Sequence, residues 1–219
     1  MQLEALVAAM FPVRVGVGVT NPLAGPGGAL FHVEQEAIRH AAPARQREFQ
    51  AGRLAARLAQ TALNLAPRPV LMAADRAPVW PAGLCGSISH TGDTCIAVVC
   101  DDPAIAALGL DVELNAPLPD EVLDTVLSGE EQAWINRQTN PGPLARLIFS
   151  AKECAYKAQY PLSGQLFGFD TIATTTDLAQ GVFEARFTRA IPPFACGGRL
   201  GGRLSFTDQL IITAIAVPA

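Results

Sequence analysis

Proline interrupts this chain so often that no helix or strand can run far before it must turn. Pro43, the cluster Pro67, Pro69, Pro78 and Pro81, then Pro103, Pro117, Pro119, Pro141, Pro143 and Pro161 each fall where a periodic stretch stops. Proline fixes φ and lacks an N–H, so it ends helices and is kept out of central strands. Between these breaks the apolar pattern switches between helical and strand periods, which predicts a mixed α+β chain split near Ala106 to Gly109.

Val13 to Val19 reads as a strand, broken by the Gly- and Pro-rich stretch from Thr20 to Gly28. Glu34 to Leu65 reads as helical, with a break at Pro43 and a resumption at Gln46. On the second part Phe49, Leu54, Ala55, Leu58, Ala62 and Leu65 share one apolar face, while Arg45, Arg53 and Arg57 can lie near one another. Residues 67–81 read as an irregular loop holding Arg76 and Trp80. Thr94 to Cys100 and Ile105 to Glu113 are predicted strands, and Asp101, Asp102 and Pro103 between them suggest a hairpin. Helices are expected at Asp120 to Leu127, at Gly129 to Arg137 behind a Ser128/Glu131 capping box, and at Leu144 to Gln159, closed by Pro161. Phe183, Ala185, Phe187 and the run Ile211 to Val217 read as strands in hairpins.

The chain has 219 residues, 50% of them apolar and 16% charged, a globular composition. Its longest apolar runs fall far short of the ~20 residues that cross a bilayer, so no membrane insertion is expected. Met1 to Met10 carries no Lys or Arg, so the basic region of a secretory signal is missing and a cytoplasmic location is expected. Five cysteines without a CxxC pair fit buried thiols in a reducing compartment.

Charge is unevenly spread. Between Arg39 and Arg76 seven arginines are opposed only by Glu48 and Asp75, although the net charge is −4. With no aromatic residue interleaved except Phe49, this points to a local anionic ligand and away from nucleic acid. Fourteen of the sixteen basic residues are Arg, and both lysines, Lys152 and Lys157, fall in one short segment. A site that needs the compact ammonium group is the reading that clustering favours.

Asp111 and Glu113 are one residue apart on a predicted strand and so project from one face. Two carboxylates side by side repel unless a cation joins them, and hard oxygen donors suit Mg²⁺. Glu153 and Lys157 stand at i, i+4 in apolar surroundings, where neither is stable without a partner; a metal and a phosphate would supply both. Gly86 to Thr91, with Ser87, Ser89 and His90, reads as a turn able to hold a phosphate. No Walker loop, GxGxxG or GxSxG occurs.

Together GSISHTGD (Gly86 to Asp93), LGLDVE (Leu108 to Glu113) and FSAKECAYKAQYP (Phe149 to Pro161) resemble the three signature motifs of the 4'-phosphopantetheinyl transferase superfamily. RQREFQAGR (Arg45 to Arg53) and DRAPVWPAG (Asp75 to Gly83) resemble its enterobactin synthetase component D-like subgroup. The resemblance implies two similar α/β subdomains related by pseudo-twofold symmetry, residues 1–108 and 109–219, with an active site between them. It implies transfer of phosphopantetheine from coenzyme A to a serine of an apo acyl or peptidyl carrier protein of siderophore, polyketide or nonribosomal peptide biosynthesis, with Mg²⁺ as cofactor.

Residue by residue, Asp111, Glu113 and Glu153 match the family's magnesium ligands, and Glu153 and Lys157 its catalytic pair. Arg45, Arg53, Ser89 and His90 match positions that hold the 3'-phosphate of coenzyme A, with Arg76 a further contact. Lys152 matches the lysine before the metal-binding Glu and is expected to contact coenzyme A or the carrier. Leu166 stands where some relatives carry Trp beside the pantetheine arm. A monomer is expected. Two other readings use the same residues: a Mg²⁺-dependent phosphohydrolase or nucleotidyl transferase, and a non-catalytic coenzyme A or carrier-binding module.

Overall fold

Two glycines two positions apart, Gly16 and Gly18, decide how the N-terminal part of the chain packs. The computed structural model describes residues 3–24 and 28–219, so part of the Gly- and Pro-rich break after Thr20, residues 25–27, lies outside the described residues. Contacts divide the chain into two units, one of Met1–Leu108 with Pro218–Ala219 and one of Gly109–Val217.

In the first unit, helix α1 (Leu3–Ala8) leads into strand β1 (Gly16–Thr20), followed by helices α2 (His32–Ile38) and α3 (Pro43–Ala62). The short strands β2 (Leu71–Met72) and β3 (Pro78–Val79) pair with each other, and β4 (Cys85–Thr91) and β5 (Thr94–Cys100) join β1 in an antiparallel sheet of order β1-β5-β4. A Cβ at Gly16 would lie 1.9 Å from the Ala59 carbonyl oxygen, and one at Gly18 2.1 Å from that of Ala55. Helix α3 thus rests directly on the backbone of β1, with its own backbone at Ala55 and Ala59 against the two glycines. Its buried face is therefore Ala51, Ala55, Ala56 and Ala59, together with Phe49. Of the apolar face expected from the sequence, Phe49 and Ala55 are buried, but Leu58 is corrected: it is 50% exposed, although its Cβ stands against Gly18.

Two further expectations change. Pro43 opens α3, where its missing N–H costs no helical bond. The predicted hairpin of Thr94 to Cys100 with Ile105 to Glu113 does not form. Instead β5 pairs with the Gly86 to Thr91 segment, which is strand β4 and not a turn, across the tight Gly92-Asp93 turn where Gly92 has φ +53°. The Asp102 carboxylate accepts from the Ala104 N–H, closing a local turn that leads the chain into another sheet.

That sheet contains β6 (Ile105–Leu114), and the boundary between the units falls within this strand. The second unit adds helices α4 (Asp120–Val126), α5 (Gly129–Ile135) and α6 (Leu144–Ser163), a 3-10 turn at Phe169–Thr171, and strands β7 (Ile172–Asp177), β8 (Val182–Phe187), β9 (Arg199–Phe206) and β10 (Leu210–Pro218), in the order β6-β10-β9-β8-β7. The expected strands at Phe183 to Phe187 and Ile211 to Val217 are β8 and β10. Pro161 does not close α6. It sits in the last turn, where one lost bond is tolerated, and the helix ends at Gly164 in the left-handed conformation, φ +63°.

The second unit repeats the packing of the first. Gly109 of β6 takes the role of Gly18: a Cβ there would lie 2.2 Å from the Cys154 carbonyl oxygen and 2.9 Å from the Ala158 side chain. Ala55, Ala59 and Gln60 of α3 correspond at constant spacing to Cys154, Ala158 and Gln159 of α6, and both helices have 20 residues. Each buried glutamine bonds the chain just past its helix, Gln60 with both backbone groups of Arg68 and Gln159 with the Gln165 carbonyl.

Because a methyl group at Gly109 would meet a helix carbonyl and not a flexible side chain, Gly109→Ala should destabilise the protein by about 3 kcal/mol, the upper end for overpacking. Chemical denaturation of the variant, followed by circular dichroism, checks this; an unchanged midpoint would mean that α6 can lift off β6 at no cost.

Candidate active site

Helix α6 carries both lysines, and the structure sends them to opposite duties. Lys152 is 2% exposed, and its ammonium donates to the Glu131 carboxylate at 2.8 Å, the Val126 carbonyl at 2.7 Å and the Phe169 carbonyl at 3.3 Å. All three of its donors are used inside the protein. The expectation that Lys152 contacts coenzyme A or a carrier is corrected: five residues before Lys157 on a helix, it points into the core. Glu131 is the other half of this node. Its Oε2 also accepts from Ser128 N–H at 2.7 Å, completing the predicted capping box, and its Oε1 accepts from the Thr174 N–H and hydroxyl at 2.8 and 2.9 Å. A buried carboxylate and ammonium are tolerable because every lone pair and proton is matched.

On the other side of α6, Lys157 donates to Asp111 Oδ1 at 2.7 Å, with its side chain 27% exposed. Burial would lower this lysine's pKa, but contact with Asp111 and the nearby Glu153 charge outweigh it and hold the ammonium above its ordinary value. Glu113 accepts from Arg146 at 2.9 Å. Its carboxyl is raised by burial and by Asp111, against the pull of Arg146. Glu153 is likewise raised, first by burial, then by Asp111 and Glu113, with Lys157 opposing. The three carboxylates therefore share one electrostatic neighbourhood, in which Asp111 makes both Glu113 and Glu153 harder to ionise. They are not drawn together as a ligand cage: among the described residues no group of three His, Cys, Asp or Glu side chains is spaced to hold a metal. Lys157 and Arg146 supply the positive charge that the carboxylates need.

Arg146 is a residue that the sequence reading missed. Its guanidinium also donates to the Ala116 and Pro117 carbonyls at 3.1 and 2.8 Å, tying the end of β6 to the start of α6. The signal was present in the spacing, since Arg146 lies seven residues, two helical turns, before Glu153.

Beside Glu153 a cavity of about 150 Å³ is lined by Tyr156, Phe167, Gly168 and Phe169, with Lys152 and Ile172 at its base. Tyr156 and Phe167 meet edge to face at 5.3 Å. Leu166 is 71% exposed and does not line the cavity; the aromatic wall comes from the next residue instead.

The expected phosphate-binding residues all belong to the first unit. Arg53 of α3 is 6% exposed, stacks on the Phe49 ring at 4.1 Å and donates to the Leu71 carbonyl at 3.2 Å. Desolvation brings its pKa down to about 10, with Glu34 opposing and the charge of Arg45 adding to the fall. Arg45 and His90 both face Glu48 Oε2, at 3.5 and 3.8 Å. Ser89 is buried on β4, while His90 is exposed. Because the backbone of β4 runs extended in the ladder with β5, successive N–H groups point to opposite sides and do not form a phosphate nest there. Arg76 sits at the tip of the β2-β3 hairpin with φ +74°, a conformation costing a non-glycine residue roughly 1 kcal/mol.

Comparison with known proteins follows the same division. A family model described as the 4'-phosphopantetheinyl transferase N-terminal domain matches residues 33–100, and one described as the 4'-phosphopantetheinyl transferase superfamily matches residues 107–212. The chain is 38% identical to 4'-phosphopantetheinyl transferase Svp of Streptomyces mobaraensis, over 89% of this chain and 81% of the relative. It is 32% identical to 4'-phosphopantetheinyl transferase PptT of Mycobacterium tuberculosis, over 99% of this chain and 100% of the relative. To enterobactin synthase component D of Salmonella typhi it is 34% identical, over 64% of this chain and 58% of the relative.

The Lys152–Glu131 node yields an energetic expectation. Lys152→Met strands a buried carboxylate and should cost about 3–5 kcal/mol, whereas Lys152→Met combined with Glu131→Gln should recover a substantial part of that loss. A double-mutant cycle by urea denaturation measures it, and strictly additive losses would show that the two groups do not depend on each other.

Proposed function

The chain belongs to the 4'-phosphopantetheinyl transferase superfamily, and on that premise we propose that it transfers the 4'-phosphopantetheine group of coenzyme A to a serine of an apo acyl or peptidyl carrier protein, releasing 3',5'-adenosine bisphosphate. The observation that carries the reading is the meeting of Asp111 and Lys157 at 2.7 Å beside Glu113 and Glu153: an ammonium and a set of mutually repelling carboxylates at one place. A phosphohydrolase or nucleotidyl transferase could use the carboxylates, but it leaves Arg45, Arg53 and His90 without a role.

Asp111, Glu113 and Glu153 are the side chains we assign to a magnesium ion. Their fit rests on donor chemistry: all three offer hard oxygens, and those of Glu113 and Glu153, whose ionisation is disfavoured by burial and by Asp111, are relieved by a hard cation. When bound, Mg²⁺ would offset charge on the pyrophosphate of coenzyme A. Arg146 holds Glu113 in position throughout. Lys157, kept charged by Asp111 and Glu153, offers its ammonium to a phosphate oxygen and stabilises the negative charge that builds there as the leaving group departs. Glu153, with its carboxyl pushed up by burial, is the group we assign to take the serine proton. The aromatic cavity next to Glu153 is suited to the uncharged pantetheine arm. Arg45, Arg53, Arg76 and His90 are assigned to the 3'-phosphate, which they can meet with charge-assisted donors. In this reading the protein works as a soluble, cytoplasmic monomer.

Incubation with coenzyme A, Mg²⁺ and an apo-carrier protein should add one phosphopantetheine to the carrier, read by mass spectrometry. Asp111→Ala should lower the rate on the order of 10² to 10⁴ while leaving the circular dichroism spectrum intact. A carrier that never gains mass, across several carriers, would remove the proposed activity; full activity of Asp111→Ala in excess chelator would remove the metal assignment.

The basic cluster makes a separate demand. Dephospho-coenzyme A, which lacks the 3'-phosphate, should bind more weakly than coenzyme A by roughly 1.5–3 kcal/mol per lost charge-assisted contact, and Arg53→Ala should narrow the gap. Calorimetry that gives both ligands equal affinity for the wild type would contradict the assignment.

A further inference from the structure

Of the two acidic residues within the Arg39 to Arg76 stretch, Asp75 has a structural duty: its carboxylate accepts from the Ala77 N–H and shapes the β2-β3 turn. Glu48 caps nothing. Among the described residues its contacts are Arg45 Nη1 at 3.5 Å on the same helix and His90 Nε2 at 3.8 Å on β4, the latter an ion pair when the imidazole is protonated, and both are made by the same oxygen, Oε2. One anionic oxygen thus stands at the point on which a helix arginine and a strand histidine converge. The Arg53 guanidinium is close enough to feel the charge of Arg45.

Resting on the assignment of this cluster to the 3'-phosphate, we propose that Glu48 is a built-in stand-in for that phosphate: it occupies Arg45 and His90 until a phosphomonoester displaces it, and so tempers the affinity of this place for coenzyme A and excludes weaker anions. The three side chains are 42%, 36% and 37% exposed, in the order Arg45, Glu48 and His90, so the pairs are weak and readily exchanged. A phosphomonoester brings up to two negative charges and three acceptor oxygens against the single charge of a carboxylate, so it outcompetes Glu48. A single-charged or poorly placed anion does not. Once displaced, the Glu48 side chain can turn into solvent without burying its charge. The competitor lowers the affinity of any anion that must release Arg45 and His90 from it, and a terminal phosphomonoester still binds because its second charge and extra acceptor oxygens outweigh one carboxylate.

The test is isothermal titration of wild type, Glu48→Gln and Glu48→Ala with coenzyme A, dephospho-coenzyme A and inorganic phosphate. Removing the competitor should tighten coenzyme A about fivefold, the scale of an exposed ion pair, and bring inorganic phosphate into measurable range, while dephospho-coenzyme A changes by less than about twofold. Coenzyme A binding that is unchanged or weaker in both variants, with a wild type that still prefers coenzyme A over dephospho-coenzyme A, overturns the stand-in role alone. A wild type with no such preference removes the phosphate assignment, and the stand-in role with it.

Discussion

A buried carboxylate at the start of a short helix, paired with a cation from a long one, is the interaction on which the second unit is assembled. Glu131 takes hydrogen bonds from the N-terminus of α5, from Lys152 of α6 and from Thr174 of β7, while Lys152 also ties down the last carbonyl of α4 and the 3-10 turn at Phe169. Five elements meet at one ion pair. Such a pair is neutral at best in isolation, but once formed it admits only one arrangement of its partners, because any other leaves a charge without donors in the core. The first unit uses the same device. Glu34 is 1% exposed; it accepts from Phe31 N–H at the start of α2, from Arg57 of α3 and from Val70 N–H just before β2.

With that frame fixed, α6 presents opposite faces to different tasks. Lys152 and the small residues Ala151, Cys154, Ala155 and Ala158 face inward, while Glu153, Tyr156 and Lys157 line the chemical side. The close seam at Gly109 sets the spacing. Asp111 follows two residues later on the same strand, within reach of Lys157. The repulsion that Asp111 exerts on Glu113 and Glu153 is then held in check by Arg146 and Lys157.

The two units share a scaffold and diverge in charge. At the positions of α3 that correspond to Glu153 and Lys157, the first unit carries Leu54 and Leu58. Its cations lie elsewhere on α3, at Arg45 and Arg53, where α6 has Leu144 and Lys152. At these positions one unit therefore carries arginines on its long helix and the other the acidic residue and lysines, although the glycine seam, the buried glutamate and the terminal glutamine recur in both. Exposed helix positions are free to vary in this way, since they contribute little to stability.

Local sequence determined much. The capping box at Ser128 and Glu131, the long helices around Arg53 and Glu153, the strand that aligns Asp111 with Glu113 and the i, i+4 relation of Glu153 to Lys157 all follow from period and spacing, which are properties of a few neighbouring residues. Strand pairing was decided elsewhere. Whether Thr94 to Cys100 pairs with the segment before it or after it depends on which partner completes a sheet, and that is a long-range competition. Likewise, the helical pattern of α3 gave an apolar face that mixed Phe49 and alanines with Leu54 and Leu58, but the approach of Gly16 and Gly18 turned the face inward at Ala51, Ala55, Ala56 and Ala59. Lys152 shows the limit most plainly. Nothing within a few residues of it says that its charge would be buried, because the groups that satisfy it, Val126, Glu131 and Phe169, are brought together only when four separate segments fold onto one another.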